Sequence, residues 1–129
     1  LQSLAYLVCR LLLEKKKVRC TESTPLVRRL AASRMPLTVC PLSNLKLNVV
    51  NHLIAHNLHR MLQRGVLVTV NSDDPAYFGG YVNQNFIELA EALDLSNEDI
   101  RMLCKNSFKA SFISDAEKEA WYRRIDEIH

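Results

Sequence analysis

Asp73 and Asp74 are the residues best suited to chemistry. They follow Val66-Leu67-Val68-Thr69-Val70, a run of strong strand character. Pro75 and the Gly79-Gly80 pair come next and break regular structure. A hydrophobic strand ending in paired acids reads as a buried parallel strand that delivers charge to a site at its C-terminal end. Two carboxylates there can divide the work, one holding a metal and the other accepting or donating a proton. The same pair also suits a plain turn, with Asp73 as its cap and Asp74 exposed, because Asp before Pro is a frequent turn starter.

His52, His56 and His59 stand at i, i+4 and i+7. On one continuous helix from Asn51 to Arg64 they share a face, and such a face can hold zinc. No Glu follows His52, so the metalloprotease motif is absent, and a solvated helix face explains the spacing equally well. Ser43 and Asn44 follow one short strand, and Asn71 and Ser72 follow the next. Loop side chains in those places can meet a ligand or simply form turns and caps. There is no nucleophile elbow, phosphate loop or Ser–His–Asp spacing. Cys9, Cys20, Cys40 and Cys104 are far apart and lack C-x-x-C spacing, which argues against a zinc knuckle or redox pair. They read as buried free thiols in a reducing compartment.

These residues need elements to position them. Leu4, Leu7, Val8, Leu11 and Leu12 have helical spacing, and Lys15-Lys16-Lys17 suits the end of that helix. Thr24-Pro25 opens a second helix with Leu26, Val27, Leu30 and Ala31 on its apolar face. Leu37–Cys40 is a short strand stopped by Pro41, with Leu42-Ser43-Asn44 as a loop. The helix from Asn51 to Arg64 turns Leu58, Met61 and Leu62 inward and ends at Gly65. Helix, strand, helix, strand is the order of parallel βα units. After Gly80 the chain is helical: 83–93, a helix capped by Ser96, and a last one opened by the capping box Ser114-Asp-Ala-Glu117. Trp121, Ile125 and Ile128 form the stripe of that last helix.

With 129 residues, 48% apolar and 24% charged, the composition is that of one globular domain or a piece of one. The net charge of +3 is spread along the chain and gives no electrostatic footprint of a nucleic-acid binder. Leu4–Leu13 is too short to span a bilayer and has no basic region before it, so neither membrane partner nor signal peptide is expected. Cytoplasmic placement is the expectation. The first residue is Leu rather than Met, as expected of a fragment.

Three stretches carry a resemblance. Cys40-Pro-Leu-Ser-Asn44, the run His56 to Leu62, and Thr69-Val-Asn-Ser-Asp-Asp-Pro-Ala-Tyr-Phe-Gly-Gly-Tyr-Val82 together look like the C-terminal part of the adenosine/adenine deaminases. They are most similar to the adenine deaminase branch. The resemblance implies an α/β fold: the last strands and C-terminal helices of a (β/α)8 barrel, a TIM-barrel metal-dependent hydrolase. It also implies a zinc-dependent purine aminohydrolase, with a metal-activated water releasing ammonia from adenine or adenosine. Asp73 would then be a zinc ligand, and Asp74 the catalytic residue that contacts a purine ring nitrogen. Ser43 and Asn44 would be substrate-side candidates.

The departures from the family pattern are equally informative. Its N-terminal H-x-H ligands and its His-x-x-Glu segment are absent. Lys16, in Lys15-Lys16-Lys17-Val18-Arg19, stands where the family has a catalytic histidine. Residues 1–17 read as a divergent helix unlike the family, and residues 18–129 as the deaminase part. One Asp cannot hold catalytic zinc, which takes three protein ligands. A chain that is inactive alone is therefore expected. One alternative is a non-catalytic remnant that associates with a full-length deaminase or a complementary barrel piece. Another is a small metal-binding module on the His52–His56–His59 face.

Overall fold

The computed structural model describes residues 24–128. The expected helix at Leu4–Leu13, Lys16, Cys9, Cys20 and the boundary after residue 17 lie outside the described residues. Two parallel strands form the frame. β1 (Leu37–Val39) pairs with β2 (Val68–Val70), placing Leu37 opposite Val68, Thr38 opposite Thr69 and Val39 opposite Val70. β2 starts later than the apolar run suggests. The chain folds back at Val66, whose carbonyl accepts the Val68 N–H at 2.9 Å.

Side chains alternate across a strand, so Leu37, Val39, Val68 and Val70 share one face. All four are buried under helices. Thr38 is exposed on the other face, where its neighbour Thr69 is satisfied by its own bonds.

The helices cover the apolar face. α1 (Thr24–Ser33) buries Val27 and Leu30. After β1 the chain forms α2 (Pro41–Lys46), a 3-10 turn (Leu53–Ala55) and α3 (Leu58–Gln63), which buries Leu58, Met61 and Leu62 as its spacing predicts. Gly65, at φ 77°, ends that segment in the left-handed region that favours glycine. Beyond β2 come α4 (Pro75–Phe78), α5 (Val82–Leu93), α6 (Asn97–Ala110) and α7 (Asp115–Asp126). Leu89 of α5 and Leu103 of α6 are fully buried. Both Ser96 and Ser114 form complete capping boxes, with Asp99 and Glu117 as reciprocal partners.

Three expectations need correction. Leu42-Ser43-Asn44 is helix rather than loop, because Pro41 sits at the first turn of α2 and starts it as well as ending β1. The segment 51–64 is not one helix. It breaks at His56, whose backbone is extended (φ −70°, ψ 133°) and whose ring accepts the Leu58 N–H. Ile128 lies past the end of α7 and is exposed, while Trp121 stacks on Phe108 with centroids 4.9 Å apart and Ile125 is buried.

One buried amide ties the two halves together. Asn85 of α5 is fully buried. Its Oδ1 accepts the Leu42 N–H at 3.1 Å, one of the donors a helix N-terminus leaves unpaired. Its Nδ2 donates to the carbonyls of Gly80 at 3.3 Å and Tyr81 at 3.1 Å. Here α5 and the start of α2 approach so closely that a Cβ on Gly80 would lie 2.7 Å from Leu42 Cδ1. Asn85→Leu removes all three bonds and strands the buried groups, at a cost of roughly 2–4 kcal/mol. Urea denaturation should show that loss, and an unchanged midpoint would contradict it.

Candidate active site

Parallel strands deliver their C-terminal ends to the same side of the sheet. Because β1 and β2 are in register, α2, which begins two residues after β1, comes level with the residues just beyond β2. Ser43, on α2 and 2% exposed, donates its hydroxyl to Asp73 Oδ2 at 2.8 Å. Asp73 adopts φ 59°, a left-handed conformation that Asp tolerates better than most residues. Its second carboxylate oxygen has no hydrogen-bond partner among the described residues. The side chain is thus fixed through one oxygen and leaves the other available.

Asp74 is held differently. It is the N-cap of α4, and its Oδ1 accepts the Tyr77 N–H at 3.1 Å. The capping role that the turn reading gave to Asp73 therefore belongs to Asp74. Gly79, at φ 84°, closes the same helix. Lys46, at the end of α2, secures α4 from outside. Its Nζ donates to the Tyr77 carbonyl at 2.7 Å and lies 5.5 Å from the Tyr77 ring centroid. Both aspartates are exposed, so the site consists of two solvated carboxylates on a buried frame.

Asn44 does not face the aspartates. Its amide lies 3.1 Å from His56 Nε2. His56 Nδ1 accepts the Leu58 N–H at 3.1 Å, so the ring is held from one side by the backbone and from the other by the Asn44 amide, whose Nδ2 stands beside Nε2. Asn71 serves the strands: its N–H donates to the Val39 carbonyl and its Nδ2 to Thr69 Oγ1, both at 2.8 Å.

The three histidines occupy three environments. His52 is exposed, His56 is buried, and His59 lies 3.6 Å from Asp99 Oδ2 and 3.1 Å from Gln63 Nε2. The break at His56 undoes the common face on which the metal-module reading depended.

Among the described residues no three of His, Cys, Asp or Glu come together closely enough to hold a metal ion. Asp73 fits as one donor, but the described residues do not make a complete zinc site. Asn85 and Lys46 were not anticipated as contributors to this geometry. For Asn85 there was a signal: it lies one turn before Leu89, on the helix's apolar stripe, where an unpaired amide would be costly.

Comparison with known proteins identifies the family. The family model described as adenosine deaminase matches residues 16–128. The chain belongs to the adenosine deaminase family. It is 58% identical over 111 residues to an adenine deaminase of Acinetobacter baylyi, covering 86% of this chain and 33% of that protein. The figures for an adenine deaminase of Wolinella succinogenes are 55% over 108 residues, 84% and 33%. The chain thus spans about a third of the length of these relatives.

Among solved structures, adenine deaminase from Arthrobacter aurescens superposes with a TM-score of 0.80 at 44% identity, over 95% of this chain and 39% of that one. An Arabidopsis N6-mAMP deaminase shares the fold, with a TM-score of 0.65 at 19% identity, 76% of this chain and 29% of that one. The expected fold, part of a deaminase (β/α) barrel, is borne out. No helix among the described residues is long and apolar enough to cross a membrane.

Burial lowers the His56 pKa from 6.5 to about 4. Unfolded chains bind this proton below pH 6.5 and folded chains only below about pH 4. Stability from this residue is therefore full above 6.5 and declines as the pH falls toward 4, by roughly 3 kcal/mol in all. Denaturation midpoints across that range should fall for the natural chain and stay nearly level for His56→Gln. An equal slope in both would contradict the assignment.

Proposed function

We propose that this chain supplies one wall of a zinc-dependent purine aminohydrolase site that releases ammonia from adenine or adenosine. The observation that carries the reading is the pairing of Asp73 with Ser43 at the C-terminal end of β2, in a member of the adenosine deaminase family. In this reading Asp73 contributes one metal ligand through the oxygen that Ser43 leaves open. Ser43 thus positions the ligand rather than touching substrate. Asp74, with one oxygen spent on capping α4, turns the other toward the purine and acts as its hydrogen-bond partner and proton acceptor. Asn44 acts at a distance by fixing His56 and the chain before α3. Bound zinc would supply an acidified water. The remaining ligands and the proton-shuttling acid come from outside the described residues, so the chain alone does not turn over.

The open edge of β1 favours a companion reading. The backbone groups of Thr38 point away from β2 and have no hydrogen-bond partner among the described residues, so a further strand can pair there. A chain of this kind can associate with a complementary barrel piece even where no catalysis follows.

Ammonia release from adenine and adenosine separates these cases. The pure chain with zinc should show none. Mixed with the N-terminal two-thirds of the Acinetobacter baylyi relative, it should gain activity, which Asp74→Asn lowers by roughly 10²–10⁴-fold and Asp73→Ala abolishes. Turnover by the pure chain would overturn the proposal, as would a reconstituted activity indifferent to both substitutions. Association without turnover would favour the companion reading.

A further inference from the structure

The two edges of the sheet are not alike. In a parallel pair, alternate residues of each strand direct their backbone groups at the partner and the others point away. Leu37 donates to the Leu67 carbonyl and Asn71 to the Val39 carbonyl, both at 2.8 Å, so residues 37 and 39 face 67, 69 and 71. Thr38 therefore points out of β1, and Val68 and Val70 point out of β2. The outward groups of Thr38 and Val70 have no hydrogen-bond partner among the described residues.

Val68 differs in that both of its outward groups are occupied. Its N–H turns back to the Val66 carbonyl at 2.9 Å. Its carbonyl accepts from Asn106 Nδ2 at 3.0 Å, across 38 residues of sequence. Asn106 belongs to α6, which packs on β2 through the fully buried Leu103 one turn earlier. The side-chain chemistry suits the place. A carboxamide donates to a strand carbonyl from the side, where leucine offers nothing and a carboxylate would repel it.

We propose that Asn106 is an edge guard: it closes the outer edge of β2 to strand pairing at Val68 and confines any strand added there to Val70 and beyond, level with Asp73. Unpaired strand edges recruit other chains, and proteins blunt them with local devices. Here the device comes from a helix far along the sequence. It leaves free only the part of the edge beside the carboxylates. The guard needs no complementary barrel piece, so it stands or falls independently of the proposed activity and is tested on this chain alone.

The test compares Asn106→Leu and Asn106→Ala in a Thr38→Lys background, which charges the open edge of β1 and removes it from the comparison. Circular dichroism reports folding, and sedimentation reports weight-average mass over a range of concentrations. The expected result is a parent whose mass stays constant and folded Asn106 variants whose mass climbs with concentration. If a folded variant tracks the parent, or the parent climbs as steeply as the variants, the guard is refuted. Loss of helical signal in both variants refutes it too, since Asn106 would then be a determinant of the fold itself.

Discussion

Everything in this molecule depends on the register of one parallel pair. With Leu37 opposite Val68 and Val39 opposite Val70, the ends of β1 and β2 come level, and Ser43 can reach Asp73. A slip of one residue would turn every side chain of a strand to the other face. It would put Thr38 or Thr69 into the helix-covered core and carry Asp73 away from its hydroxyl partner. The register is specified from both faces: Leu37, Val39, Val68 and Val70 find their burial only in this alignment, and Thr69 finds its bonds to Leu37 and Asn71.

Around that frame, polar residues fasten the site rather than fill it. Asn85 joins the start of α2 to the turn before α5, His56 and Asn44 hold the chain before α3, and Lys46 closes over α4. Two of these side chains also satisfy buried backbone donors that would otherwise be orphaned: Asn85 takes the Leu42 N–H and His56 the Leu58 N–H. Together they hold Ser43, Asp73 and Asp74 in place while leaving one oxygen of each aspartate without a protein partner among the described residues. Rigid support with an unsatisfied carboxylate at the surface is what a ligand or substrate site requires.

Much of this was legible from the residues. The apolar run before Asp73-Asp74 marked β2, helical spacing marked α3, α5 and α6, and Ser114 with Glu117 marked the start of α7. What could not be read came from long-range pairing. Local spacing made 51–64 a single helix, but the burial of His56 and its bond to Leu58 break it. Pro41 looked like a strand stop, yet it also begins a helix once Asn85 satisfies the Leu42 N–H. The Ser43–Asp73 bond was not legible because the partners lie 30 residues apart, and only the strand register brings the two together.

The most direct test of this account is a crystal structure of the chain assembled with the N-terminal two-thirds of the Acinetobacter baylyi relative, grown with zinc and located by anomalous scattering. The account predicts the metal on the Asp73 oxygen that Ser43 does not hold, the Ser43–Asp73 bond intact, and Asp74 beside the metal without binding it. A metal bound by Asp74, or seated away from the C-terminal end of β2, would contradict it.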